Sequence, residues 1–143
     1  MIIKQLSIFL ENKTGRVCDI AAILGENTIN IRALSLADTS DFGIMRLIVD
    51  KPDDALKKLK ENGFSVAITS VAAIEIPDVP GGLASVMKTI DDGGFNIEYM
   101  YAFVEKSHDN AILIMRFDDV ENVVGKLREK GVKVLKEKEV LSL

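Results

Sequence analysis

Thr28-Ile29-Asn30-Ile31-Arg32 is the stretch on which the reading of this chain turns. Isoleucines alternate with other residues, as they do on a strand with one buried face. Asparagine fits such a strand poorly, because its short amide competes for backbone hydrogen bonds. The same core returns further on as Gly94-Phe95-Asn96-Ile97-Glu98. Two asparagines in matching settings point to a repeated unit in which that position has a job.

The repeat extends far beyond these residues. Gly15 and Gly81 stand 66 positions apart, as do Asn30 and Asn96. Between those anchors Val17, Ile20, Leu24, Ile29 and Ile31 match Leu83, Val86, Ile90, Phe95 and Ile97. After a two-residue insertion the spacing becomes 68, and Asp50, Lys58, Leu59, Glu61 and Gly63 match Asp118, Lys126, Leu127, Glu129 and Gly131. Similarity between any two amphipathic helices does not account for the matched glycines and asparagines.

Each copy reads as strand, helix, strand, strand, helix, strand. Leu6, Ile8 and Leu10 share one face at period two, and Thr14-Gly15 breaks that strand. Val17, Ile20, Ala21 and Leu24 follow at helical spacing. Residues 29–38 and 44–49 are strand-like, and a second helix opens at Asp50-Lys51-Pro52. Gly63 is placed to end that helix in the left-handed conformation, and 64–69 form the last strand. The second copy gives strands at 71–76, 95–104, 111–117 and 132–140. Its helices are lined by Leu83, Val86, Met87 and Ile90 and span 119–130. The boundaries are 1–70 and 71–143. Residues 64–76 read as one nearly continuous strand joining the copies, so a semi-rigid pair is expected. The fold class is α+β: two tandem ferredoxin-like βαββαβ units, each an antiparallel sheet with both helices on one face.

Composition narrows the function. The chain has 143 residues, 48% hydrophobic and 28% charged, with net charge −4. That balance is ordinary for a folded soluble protein. Lysines are interspersed with acids, as in Lys136-Glu137-Lys138-Glu139, so nucleic acid is not an expected partner. No apolar run reaches the roughly 20 residues of a membrane span. MIIKQLSIF lacks the zones of a signal peptide. With a single cysteine, Cys18, the expected setting is the reducing cytoplasm.

No catalytic residue, cofactor or metal is expected. His108, the one histidine, falls in the polar hairpin loop Lys106-Ser107-His108-Asp109-Asn110. Cys18 borders the apolar helix face and reads as a small buried residue. A lone His and Cys do not make a metal site. Asp41-Phe42-Gly43 has none of the other kinase signatures around it and reads as a turn.

A binding role fits better. Asn12-Lys13-Thr14-Gly15 and Asp78-Val79-Pro80-Gly81 each lead into a first helix. A helix N-terminus offers N–H groups and positive partial charge to a carboxylate, and glycine permits close approach. Asn12 and Asp78 read either as acceptors for an ammonium or as N-caps or turn residues. Asn30 and Asn96, read as lying near the mouth of each first helix, offer both donors and an acceptor. This mixture suits a free amino acid.

These residues resemble the ACT domain family, small βαββαβ modules that bind amino acids and regulate metabolic enzymes. The family pattern is an Asn or Asp, then Pro-Gly opening the first helix, then an apolar-Asn-Ile segment. The second copy keeps Asp78, Pro80, Gly81, Leu83, Gly94, Asn96 and Ile97. The first keeps Asn12, Gly15, Val17, Asn30 and Ile31, with Thr14 where Pro is usual. The resemblance covers essentially the whole chain and implies a free-standing tandem regulatory protein, not an enzyme. It also implies a ligand amino acid at an interface between units, a homodimer or other homo-oligomer, and a metabolic enzyme as possible partner. The implied ligand residues are Asn12, Gly15, Arg16, Asn30 and Ile31 in the first copy and Asp78, Gly81, Gly82, Asn96 and Ile97 in the second. Leu10 and Ile76 stand where serine-binding relatives carry a histidine, which counts against a serine-type site. Arg16 against Gly82 implies unequal sites. The alternative is a structural or interaction module with a vestigial ligand site.

Overall fold

The computed structural model describes residues 1–11, 13–38, 42–103 and 109–143. Its elements run β1 (Ile3–Glu11), α1 (Arg16–Glu26), β2 (Ile31–Asp38), β3 (Phe42–Val49), α2 (Pro52–Glu61), β4 (Ser65–Pro77), α3 (Gly82–Asp92), β5 (Ile97–Ala102), β6 (Asn110–Phe117), α4 (Val120–Glu129), β7 (Lys133–Val134) and α5 (Glu137–Leu141). The chain divides into two compact units, Lys4–Thr69 and Ser70–Leu143, the latter taking in Met1–Ile3.

In the first unit the strand order is β2-β3-β1-β4, with β3 antiparallel to both β1 and β2. The alternation of β1 sends Leu6, Ile8 and Leu10 to one face, joined there by Met45, Leu47 and Val49 of β3. Ile20 and Leu24 of α1 and Ala55 and Leu59 of α2 complete the same cluster. Both helices therefore cover one face of the sheet. Each such fully buried Leu or Ile contributes about 1.5–3 kcal/mol of apolar transfer.

The second unit repeats this plan as β5-β6-β4-β7, using residues 70–77 of β4. Ala72, Ile74 and Ile76 face Leu113, Met115 and Phe117, beneath Ile90 of α3 and Val120, Val123, Val124 and Leu127 of α4.

The helix ends are alike in all four of these helices. After α2, Phe64 N–H donates to Leu59 O and Gly63 N–H to Lys60 O. After α4, Val132 and Gly131 bond Leu127 and Arg128 in the same pattern. This Schellman geometry requires a left-handed residue, and Gly63 and Gly131 supply it at φ 84° and 82°. The expectation for Gly63 holds.

The end of the chain departs from expectation. Residues 132–140 read as a strand, but β7 is only Lys133–Val134, followed by α5. Glu139 Oε2 accepts from Lys136 N–H at 2.6 Å, caps the turn, and lets Val140 bury completely. Likewise β5 begins at Ile97, not 95, because Gly94 (φ 70°) and Phe95 belong to the end of α3. The first described strand after α1 begins at Ile31, one residue after Asn30.

Candidate ligand site

The first helix of each unit opens on glycine. Gly15 and Gly81 are the N-caps of α1 and α3, at φ 91° and 84°, and neither supplies a side-chain cap. Asp78 is therefore not the N-cap but stands in the turn between β4 and α3, the other alternative of its reading; Asn12 lies outside the described residues, as does His108. A left-handed N-cap is open to glycine with little strain, and it leaves the first-turn N–H groups facing outward at the positive end of the helix.

One residue further on, the units diverge. In the second, a Cβ on Gly82 would stand 2.0 Å from the carbonyl oxygen of Pro77, so a side chain is excluded there. In the first, the matching residue is Arg16, half-buried, with its guanidinium 5.8 Å from the centre of the Phe64 ring. At that distance the ring face holds the cation in place. Arg16 lines an open cleft of about 290 Å³ with Phe9, Leu10, Glu11, Phe42, Gly63, Phe64 and Ser65. At its rim Lys13 Nζ lies 2.7 Å from Glu11 Oε2, and that bonded cation holds the Glu11 carboxyl below its ordinary pKa. The cleft thus carries a fixed cation, an anion and three aromatic rings.

The same place in the second unit is also a cleft, of about 330 Å³, with different chemistry. By the repeat spacing Phe9, Phe42 and Ser65 correspond to Glu75, Asn110 and Lys133. There the Glu75 side chain is only 4% exposed; Asn110 donates to it at 2.6 Å and Lys133 Nζ stands 2.8 Å away. These groups satisfy one another. The divergence of the two clefts was missed in the sequence, although the repeat spacing alone, applied to Phe9 and Phe42, lays it out.

The asparagines lie elsewhere. Asn30 follows the C-terminus of α1, and Asn96 that of α3, whereas the glycine loops precede the N-termini. An 11-residue helix is roughly 16 Å long. Asn30 is therefore not at the mouth of the first helix but at its other end. Its backbone is pinned: Asn30 N–H donates to Asp50 Oδ1 at 2.9 Å, and Asp50 N–H to Asn30 O at 3.1 Å. Lys51 Nζ bonds Thr28 O at 2.8 Å beside it. The side chains of Asn30 and Asn96 are exposed, while Ile31 and Ile97 pack against their cores. Within one unit the structure does not bring the glycine loop and the asparagine together.

Cys18 is exposed, contrary to its reading as a buried residue, because it turns away from the stripe of Ile20 and Leu24. Among the described residues no group of three or more His, Cys, Asp or Glu is arranged to hold a metal, and no helix is long and apolar enough to cross a membrane.

The ACT domain pair family profile matches residues 1–143, and the chain belongs to that family. It is similar to protein BT0572 from Bacteroides thetaiotaomicron, at 43% identity over 100% of this chain and 98% of that one, with a TM-score of 0.92. The ligand-free regulatory subunit of aspartate kinase from Thermus thermophilus shares the fold at 16% identity, covering 88% and 91% of the two chains, with a TM-score of 0.61. The corresponding subunit from Thermus flavus gives 14% identity, 88% and 90% coverage and a TM-score of 0.60. No curated protein matches the chain.

Proposed function

We propose that this ACT domain pair is a non-catalytic, amino-acid-binding regulatory protein. The ligand's α-carboxylate is held by Arg16 and the N-terminal turn of α1, and its ammonium by Glu11. The observation that carries this reading is the placement of Arg16 over Phe64 in a cleft that Glu11 also lines, directly behind a left-handed glycine cap. A volume of about 290 Å³ is at the lower edge of the roughly 300–1,000 Å³ usual for ligand pockets, so it suits one amino acid and not a nucleotide.

Asn30 and Asn96 enter the same reading only through assembly. Since the loop and the asparagine occupy opposite ends of a helix, a ligand touching both sits between the loop of one chain and the strand start of another. Binding then favours the assembled state, and a partner metabolic enzyme that senses assembly is regulated by it, because a ligand shifts such an equilibrium through unequal affinity for the two states. Cytoplasmic location and a homodimer complete the proposal.

The second reading, an interaction module with a vestigial site, is favoured by the second unit, where Gly82 is closed off by Pro77 and Glu75 is satisfied internally. Titration calorimetry against the twenty amino acids separates the two. Binding below millimolar concentration supports the sensor. Its absence, together with partner binding unchanged by Asn30→Ala and Asn96→Ala, supports the module.

A further inference from the structure

We infer that Phe64 is a positioning residue of the first-unit site: its ring holds Arg16 at the cleft, and it acts on a ligand only through Arg16. This rests on the amino-acid-binding reading above and names the residue that prepares its cation.

Arg16 opens the first turn of α1, and Phe64 follows the left-handed Gly63 at the end of α2. The Phe64 backbone is fixed by its N–H bond to Leu59 O, and its side chain packs against the first-unit core. A long arginine side chain loses rotamer freedom when it is held. A ring anchored in this way, 5.8 Å from the guanidinium, takes that loss before any ligand arrives. The acid of the same cleft is not the anchor, since Glu11 is bonded to Lys13 at 2.7 Å.

The second unit shows what the fold alone asks of this position. Val132 stands behind Gly131 with the same bond, N–H to Leu127 O, and packs against its own core. An aliphatic residue therefore completes both the turn and the packing. Where the ring is missing, so is the arginine, because Gly82 stands in place of Arg16. The pair also divides space that the second unit leaves joined. Arg16 and Phe64 line two clefts of about 290 Å³ each, one shared with Phe9 and Glu11, the other with Asp19, Ile23 and Asn62. By the repeat spacing Asp19, Ile23 and Asn62 correspond to Ser85, Thr89 and Lys130, which line the same single cleft as Glu75. With open space on both sides, the Phe64 ring is a support for Arg16 and not a filler of the core.

The test uses the full chain, with each of the twenty amino acids as probe. Each is titrated into the wild type, Phe64→Val, Phe64→Leu, Phe64→Tyr, Arg16→Gln and the double variant Phe64→Val/Arg16→Gln. Phe64→Val imports the residue of the second unit, Phe64→Leu keeps more bulk without a ring, and Phe64→Tyr keeps the ring. Circular dichroism checks the folding of each. Calorimetry gives the affinities, and the Arg16 Nε–H resonance reports the ring over which it lies. Amino acids that bind the wild type are expected to bind Phe64→Val and Phe64→Leu about fivefold or more weakly, and Phe64→Tyr within about twofold. With Arg16→Gln already in place, Phe64→Val is expected to have no further effect. The Arg16 resonance, displaced by the ring current in the wild type and in Phe64→Tyr, is expected to move to the free-arginine position in Phe64→Val and Phe64→Leu. Wild-type affinity in the ringless variants overturns the inference while leaving amino-acid binding intact. A Phe64→Val loss that persists without Arg16, or an Arg16 resonance indifferent to the ring, also overturns it. Binding by none of the twenty amino acids removes the underlying reading as well.

Discussion

Thr28 and Gly94 hold the same left-handed position at the ends of α1 and α3, at φ 57° and 70°. In both, the following residue closes the Schellman bond, Ile29 N–H to Leu24 O and Phe95 N–H to Ile90 O. Of the four helix ends built this way, only that of α1 lacks glycine. A β-branched residue there is strained, and it is kept in place by Lys51 on its carbonyl and by the Asn30–Asp50 bonds that follow.

Thr28→Gly is therefore expected to stabilise the protein by about 0.5–1 kcal/mol, the relief of strain exceeding the entropy of the added glycine. Urea denaturation measures it. A loss of stability would mean that the surrounding bonds, not strain, set the energy at this site. The reverse change, Gly94→Thr, is expected to cost about 1–2 kcal/mol.

Gly82→Ala places a methyl group on the Pro77 carbonyl, which is backbone and cannot rotate away. A cost of roughly 1–3 kcal/mol is expected, with the second unit affected first. Hydrogen exchange resolves the units: protection in α3 should fall while α1 keeps its own. Equal protection in the two would contradict the steric account.

Asn30→Ala is expected to change stability by less than about 0.5 kcal/mol, because the backbone of Asn30, not its exposed amide, bonds Asp50. Asp50→Ala removes the acceptor of that N–H and should cost about 1 kcal/mol. Thermal melts of the two variants give the comparison. If Asn30→Ala proves the more damaging, the amide has a structural role that its exposure argues against.

Glu98 shares a hydrogen bond with Asp118, and that bond, with partial desolvation and the neighbouring negative charge, raises its pKa above the ordinary carboxylate value; Arg116, 3.3 Å away, lowers it only in part. A carboxyl with a raised folded-state pKa holds its proton more tightly folded than unfolded. Its contribution to stability is full below the unfolded pKa and is lost as pH rises through the raised folded pKa. Glu98→Gln should therefore raise the melting temperature at pH 7 and change it little near pH 4. A larger effect at pH 4 than at pH 7 would reverse the assigned sign.

The repeat made most of the architecture legible. Matched glycines marked the helix ends correctly, since a left-handed residue is a local requirement that the sequence states directly. Period two in β1 placed Leu6, Ile8 and Leu10 in the core for the same reason. The last segment misled because Val132, Val134 and Val140 suit either state; what decides for α5 is the bond from Glu139 to the Lys136 backbone, weighed against a two-residue pairing with β4. Asn30 misled differently. Sequence proximity to the helix suggested its mouth, but a helix carries the chain about 16 Å before the strand begins. The cleft around Arg16 was half legible: Arg16 and Gly15 stood out locally. Phe9, Phe42 and Phe64 come together only through strand pairing and the return of β4.

The most direct test of the central claim is calorimetric titration of the twenty amino acids into the wild-type chain and into Arg16→Gln. Binding of at least one amino acid below millimolar concentration is expected, weakened about tenfold or more by Arg16→Gln, the usual loss of one charge-assisted contact. Absence of binding at millimolar concentration, or affinity indifferent to Arg16, would contradict the claim that this cleft is the amino-acid site.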